Sequence, residues 1–514
     1  MRILVWLSLA LPLMAAAAPR PIERLQIEGN RALPTALLEA VAAPWLGREL
    51  DEAQIELLRQ ALTRAYVERG YLNSGVLLQP EQNLSGALRV RVVEGRLVGM
   101  ELRGLGGLSE RYVRARLDPQ PGEVLNMDRL RERFQLLLAD PLVKRANARL
   151  LPAEQLGEAV LDVELERARP WQASATLNNH RPVSVGEWQV GVRASLSNLS
   201  GHGDTVDLNL QQALEKGDQR QASLHGRLPW PGAPATQLQL GLEHSDAAVV
   251  EEPVARLDIE SRVRGFELGV AHALHETPRE RIAVGLQHQW RRQRSTLLGE
   301  PFSFVPNLPD GRELKAGLWR FWQEASWRSE TQVLALRSSL NGGRSNVLAE
   351  AAMVGVEAAP APRTLFWTGQ AQWVRKLGEN LQGTVRGTVQ VARDRLLAHD
   401  GLAAGGVRSV RGQRENALVR DEGGLLSLEL EWTLHPEGWD DARFTLTPFV
   451  DAARLRNRGQ PWASLSSLGL GLAAHWRGWS LELVAAKRLQ DGPPVAEDVS
   501  LQDQGVHLQI SHRW

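Results

Sequence analysis

The chain has 514 residues, 60 of them basic and 60 acidic, and it contains no cysteine. That length allows two to four domains. Zero net charge excludes a nucleic-acid binder held by a broadly basic surface, and the missing cysteines exclude disulfide frameworks, Cys-ligated zinc, iron–sulfur clusters and thiol nucleophiles.

Met1-Arg2, the apolar run Ile3 to Leu13 and the small residues Ala16-Ala17-Ala18 predict a secretory signal peptide over residues 1–18. No later stretch is long and apolar enough for a transmembrane helix. If the mature chain crosses a membrane, it does so as a closed barrel.

Two copies of one small unit follow. In residues 22–96, Leu25 and Ile27 alternate like a strand, and a short helical stretch surrounds Leu37 to Val41. Asp51 and Gln54 have capping-box spacing in front of a longer helix. Its apolar face is Ile55, Leu58, Leu62, Ala65 and Tyr66, and Gly70 stops it. Two strands carrying Val76 and Leu78, then Leu88, Val90 and Val92, close the unit. Residues 97–167 repeat the order. Val98, Met100 and Leu102 form the strand, Ser109 and Asn126 cap the helices, and Ala146 to Leu150 and Leu161 to Leu165 form the closing strands. A duplicated βααββ unit without an ionisable cluster reads either as a binding module, whose sheet edges accept an extended peptide, or as a spacer.

Gly70-Tyr71, the Pro80-Glu81-Gln82 turn, Gly86 and Val92-Val93-Glu94-Gly95 resemble the first POTRA domain of two-partner secretion transporters. Pro121-Gly122, Leu125-Asn126-Met127 and Asp140-Pro141 resemble their second.

From residue 170 to 514 the pattern changes to period two, as in Val190, Val192, Ala194 and Leu196. All but Trp6 and Trp45 of the 17 tryptophans lie here, suiting membrane interfaces. Turn-bounded segments predict sixteen strands, near 171–178, 187–196, 204–212, 219–228, 236–245, 264–274, 280–294 and 314–328. The others lie near 331–341, 363–376, 380–397, 425–436, 441–455, 463–475, 478–489 and 504–514. Connections after even strands are mostly tight and several after odd strands are long, which is the pattern of a bacterial outer-membrane barrel. A soluble β-sandwich or propeller explains neither this asymmetry nor the tryptophans. The fold class is therefore mainly β: a sixteen-stranded transmembrane barrel over 170–514 behind two small α+β domains. The terminal Trp514 resembles the signal read by barrel-assembly machinery.

No H-E-x-x-H, G-x-S-x-G or phosphate-loop motif occurs. His272 and His275-Glu276, and His435-Pro436-Glu437, read as strand-end or turn residues rather than metal ligands. No cofactor, metal site or enzymatic activity is expected.

One loop stands out. Gly405-Gly406-Val407-Arg408-Ser409-Val410-Arg411-Gly412, between the eleventh and twelfth strands, resembles the family's signature in a long sixth loop that folds back into the lumen. Asp421-Glu422-Gly423-Gly424 continues the resemblance, and Phe449-Val450-Asp451 resembles the family's inner-wall motif. Period two turns Val450 and Ala452 to lipid and Asp451 inward. The resemblance implies that Val410, Arg411 and Gly412 meet a wall motif of Phe449 and Asp451, with Arg411 pairing with Asp451. Gln413 stands where an aromatic is usual, and Ala453 where a glycine closes the motif. Only Pro19, Arg20 and Pro21 separate the signal from the first unit, so the family's N-terminal plug helix is not expected, and the returning loop is then the expected obstruction.

The resemblance implies an outer-membrane transporter with POTRA domains in the periplasm. It would pass an unfolded secreted client, large and β-helical with an N-terminal secretion domain, through its barrel. Its other partners would be outer-membrane lipid and the barrel-assembly machinery, with no nucleic acid. A barrel-assembly factor of the same superfamily is the first alternative and a passive porin the second.

Overall fold

The computed structural model describes residues 21–78, 86–117, 123–215, 219–348, 359–436, 438–439, 441–490 and 500–514. The signal-peptide residues 1–18, Pro19-Arg20, and the Pro80-Glu81-Gln82 and Pro121-Gly122 turns lie outside them. Contacts divide the chain into two compact units. One takes in the chain to Gly104 with Leu117–Leu137 and Ala146–Leu165, and the other Leu105–Arg116, Leu138–Arg145 and Glu166–Trp514.

The chain begins with β1 (Arg24–Glu28), α1 (Thr35–Ala42), α2 (Glu52–Val67), β2 (Gly75–Leu78) and β3 (Ala87–Val93). Asp51 caps α2: its carboxylate accepts the Gln54 N–H at 2.7 Å, and the Gln54 side chain accepts the Asp51 N–H at 3.1 Å. The α2 stripe of Leu58, Leu62, Ala65 and Tyr66 is buried with Leu88, Val90 and Val92. The sheet order is β1-β3-β2, so β1 and β2 are its edges.

The order repeats as β4 (Arg96–Arg103), α3 (Glu110–Leu117), α4 (Met127–Leu138), β5 (Val143–Pro152) and β6 (Glu158–Arg167), with the sheet β4-β6-β5. Ser109 Oγ accepts the Tyr112 N–H, and Asn126 Oδ1 accepts those of Asp128 and Arg129. One detail departs from the alternation. The β4–β6 register shifts between Leu97 and Gly99, so Val98 is skipped and stands 49% exposed rather than joining the core with Met100.

The barrel wall begins with β7 (Trp171–Asn178), β8 (Gln189–Ser197), β9 (Thr205–Ala213), β10 (Arg220–Trp230), β11 (Ala233–Ala248), β12 (Glu260–Glu276) and β13 (Glu280–Leu297). The two-residue β14 (Glu300–Pro301) only pairs, antiparallel, with the end of β13. The wall continues with β15 (Leu314–Arg328), β16 (Gln332–Ser345), β17 (Arg363–Lys376) and β18 (Leu381–Ala392). A short ribbon of β19 (Leu402–Ala404) and β20 (Leu418–Arg420) interrupts it. The wall then resumes with β21 (Glu422–Leu434), β22 (Ala442–Arg456), β23 (Ala463–Trp476), β24 (Trp479–Gln490) and β25 (Val506–Arg513). Antiparallel pairing of β25 with β7 closes sixteen strands into a ring. Closure satisfies every neighbouring strand's backbone groups, which hydrocarbon could not do.

Several strands outrun the apolar alternation that located them. Ser245–Ala248 of β11 pair with Glu260–Val263 of β12 although Asp246, Glu260 and Arg262 break the apolar row, because ladder hydrogen bonds continue beyond the lipid-facing zone. The eleventh wall strand is shorter than its apolar content implied. β18 stops at Ala392, and Leu396 and Leu397 turn into buried clusters with Phe366 and Leu314 instead.

The connections alternate in length. At one rim, β23 and β24 are joined by Arg477-Gly478, with φ of 45° and 86°. Both residues are left-handed, as a two-residue type I′ hairpin demands. At the other rim, residues 393–421 join β18 to β21. Trp171, Trp230, Trp327, Trp476, Trp479 and Trp514 all lie within a residue of a strand's short-turn end and are exposed. They form an aromatic girdle there.

Candidate functional site

Residues 393–421 fold back to the inner wall through the β19–β20 ribbon, whose Leu402, Ala404 and Leu418 are buried with Val410, Ala453, Leu455 and Leu465. Ala453 thus places a methyl group against the loop where a glycine was usual, and the cluster accommodates it. At the base, the buried Asp421 carboxylate accepts N–H groups from Leu396 at 2.9 Å and Arg458 at 2.8 Å, and an Arg395 guanidinium N–H at 3.2 Å.

At the tip, Arg411 meets the wall. Its Nε donates to Asp451 Oδ2 and its Nη2 to Asp451 Oδ1, both at 2.7 Å, a bidentate fork. Its backbone N–H donates to the same carboxylate at 3.0 Å. Nη2 also donates to Ser427 Oγ at 2.9 Å, and Nη1 lies 2.6 Å from Glu429 Oε1. The guanidinium sits 3.5 Å from the centre of the Phe449 ring, a cation–π contact. Asp451 is fully buried and Arg411 9% exposed. Burial works against the charge on Arg411, and the Asp451 and Glu429 carboxylates outweigh it, so its pKa moves up. Glu429 also accepts Arg386 Nη2 at 2.6 Å, so two guanidiniums face two carboxylates and the cluster is neutral.

The two residues flanking Arg411 fix its position differently. Val410 is fully buried. Gly412 has φ +83°, and a Cβ there would lie 2.7 Å from Ala486 Cβ on β24. Only glycine permits both the conformation and the approach. Its N–H donates to His507 Nε2 at 3.3 Å, and its carbonyl accepts Arg488 Nε at 2.7 Å. Gln413, where an aromatic is usual, is buried and donates to the Gln490 carbonyl at 2.9 Å.

The site therefore brings together all five residues singled out in the sequence and adds partners that were not. Ser427 and Glu429 on β21, Arg386 on β18, Arg488 on β24 and His507 on β25 join the contact. Period two already faces Ser427 and Glu429 inward, but several strands offer inward acids, and only the returning loop selects these. A second contact was also missed. Arg414 forks onto Asp503 at 2.6 and 2.7 Å and reaches Glu251 Oε1 at 2.6 Å, tying the tip to two further long-rim connections. Hydrogen bonding to Asp503 raises the Arg414 pKa, and burial only partly opposes it. Burial lifts the Glu415 carboxyl to about 7, against the pull of the Val407 N–H and Arg408.

Beside the loop a polar cavity of about 1090 Å³ is lined by residues that reach from Arg408 and Glu415 to the Arg477-Gly478 turn. The loop tip rests on β21, β22, β24 and β25.

The comparisons agree with this architecture. The outer membrane transporter CdiB of Dickeya dadantii (strain 3937) is 28% identical over 165 residues, covering 32% of this chain and 29% of that protein. Outer membrane transporter CdiB-2 of Burkholderia pseudomallei (strain 1026b) is 29% identical over 220 residues, covering 40% and 35%. The chain thus spans about a third of the length of these relatives. In fold, the solved structure of CdiB from Escherichia coli superposes with a TM-score of 0.77 at 19% identity, over 98% of this chain and 93% of that one. Residues 20–95 match the POTRA domain of ShlB type. Residues 157–474, more than half of the chain, match the haemolysin secretion/activation proteins ShlB/FhaC/HecB, and to that family this chain belongs.

Proposed function

We propose that the chain is an outer-membrane transporter of two-partner secretion, which takes an unfolded secreted protein from the periplasm and passes it through its barrel. The observation that carries the reading is a closed barrel whose lumen holds a returning loop on a buried, neutral ion cluster with a large polar cavity beside it. A polar wall lets an extended chain pass without stranding its backbone groups in lipid. In this reading residues 1–18 are a signal peptide, 22–96 and 97–167 are two POTRA domains in the periplasm, and 170–514 are the barrel. The short-turn rim faces the periplasm, the long connections face outward, and Trp514 is read by the assembly machinery. The edges β1, β2, β4 and β5 offer unpaired backbone to which an extended client segment adds as a strand. The client is large and β-helical, and the transporter acts on it without cofactor or catalytic chemistry.

The test is removal of residues 22–167 behind an intact signal peptide. The shortened chain inserts as a heat-modifiable barrel and no longer releases the client into the medium. Full release by that barrel would refute client capture by the N-terminal domains.

A further inference from the structure

The outward face of the barrel is apolar along most of each strand, but at the long-connection rim of five adjacent strands it turns cationic. Arg262 and Arg264 on β12, Arg292 and Arg294 on β13, Lys315 on β15, Arg344 on β16 and Arg363 on β17 are all exposed. The pairing register places them on the lipid side. Arg264 lies directly opposite Arg292, which lies opposite Lys315. Arg262 lies opposite Arg294, and Arg344 opposite Arg363. In the adjacent outward rows, Phe266 stacks on Trp290 at 5.2 Å, and His288 lies between Trp290 and Trp319 at 3.9 and 4.4 Å. Such a layer of aromatic rings marks the membrane interface.

Like charges directly opposed across a β-ladder repel one another. Acids do little to relieve this. Asp246 takes Arg262 at 2.6 Å, and Glu260 stands on the same face at the rim. No described residue forms an ion pair with Arg264, Arg292, Arg294, Lys315, Arg344 or Arg363. Beside them a groove of about 440 Å³ opens at the rim, lined among others by Arg220, Arg262 and Arg294. A belt of cations above an aromatic layer, on the lipid side, calls for an anionic headgroup that reaches several of them together.

We propose that this belt binds an outer-leaflet lipid whose headgroup carries more than one phosphate, the guanidiniums taking the phosphate oxygens and the aromatic layer taking the upper acyl chains. The proposal rests on the reading that the long connections face outward from the outer membrane. Multivalent phosphate explains why six cations with no ion-pair partner among the described residues stand together, since each phosphate bridges neighbours that would otherwise repel.

The test uses the purified full-length chain in detergent, with lipid binding measured by native mass spectrometry. The probes are diphosphoryl lipid A, the same lipid with both phosphates removed, and inorganic phosphate. The diphosphorylated lipid binds, the phosphate-free lipid binds at least about tenfold more weakly, and excess inorganic phosphate does not displace the bound lipid. R264Q, R292Q and R344Q each weaken binding about fivefold, and their combination about a hundredfold. R264K, R292K and R344K together retain most of it. R193Q, which removes a lumen-side arginine, leaves it unchanged. Heat-modifiable migration establishes that each barrel is folded, and the single variants decide the matter should the triple variant not assemble. Unchanged binding in folded R292Q and R344Q, equal binding of the phosphate-free lipid, or displacement by inorganic phosphate would each overturn the proposal. Client release is measured on the same variants and bears on the transport reading alone.

Discussion

Arg411→Ala is the most informative single change. It removes the fork onto Asp451, the Ser427 hydrogen bond and the contact with Glu429 together. Glu429 keeps Arg386, but Asp451, fully buried, keeps among the described residues only the backbone N–H of residue 411. Stranding a buried carboxylate costs about 3–5 kcal/mol, which raises the population of unseated loop by about two to three and a half decades. Because the chain has no cysteine, Val410→Cys introduces a single reporter at a fully buried position. Its labelling by a membrane-impermeant maleimide is limited by opening of the loop. In the Arg411→Ala background the labelling rate rises about a hundredfold or more, and client release falls while barrel insertion persists. Arg411→Lys rescues only partly, because an ammonium cannot reproduce the fork. Adding Asp451→Ala to Arg411→Ala brings little further loss, since the pair acts as a unit. Unchanged labelling in Arg411→Ala, or strictly additive losses in the double variant, would refute the idea that this pair holds the loop.

Three further outcomes follow from the same geometry. Arg414→Ala opens the second contact, and because Arg414 is partly exposed the effect is smaller, about tenfold in the same labelling rate. Gly412→Ala, with φ +83° and Ala486 in the way, displaces the tip and raises Val410→Cys labelling without removing any charge. The third concerns pH. Burial raises the Glu415 carboxyl from 4.5 to about 7, so the seated loop holds extra protons in that window, and seating is fullest below it and weakens as pH rises through it. Labelling therefore accelerates between about pH 5 and about pH 8, and Glu415→Gln flattens the profile.

The fold was legible because its physics is local. The period-two rows from Val190 to Trp514 and the alternating connections count the strands without any tertiary information, as the Asp51–Gln54 box does for α2. Strand ends were less legible. The ladder between Ser245–Ala248 and Glu260–Val263 continues although Asp246, Glu260 and Arg262 break the apolar row, and Leu396 and Leu397 leave the strand to fill clusters that no local pattern encodes. At the site, resemblance supplied Arg411 and Asp451, and alternation supplied the inward direction of Asp451. Glu429, His507 and Arg414 could not be read in this way. Glu429 and His507 meet the loop across 18 and 95 residues of chain, and Arg414 in the loop meets Asp503 across 89, contacts that exist only once the barrel has closed and the loop has returned. The cationic belt was hidden for the same reason, because Arg264, Arg292 and Lys315 become neighbours only in the ladder.

The most direct measurement is made in cells that lack this chain and follows one exported protein of the same cell, a large one encoded beside this gene being the first choice. The culture medium, the periplasm and the outer-membrane barrels are quantified before and after the gene is restored. A transporter of this kind moves that one protein from periplasm to medium on restoration and leaves the levels of other outer-membrane barrels as they were. Release of the protein without this chain, or a general fall of outer-membrane barrels in its absence, would contradict the account and favour a barrel-assembly role instead.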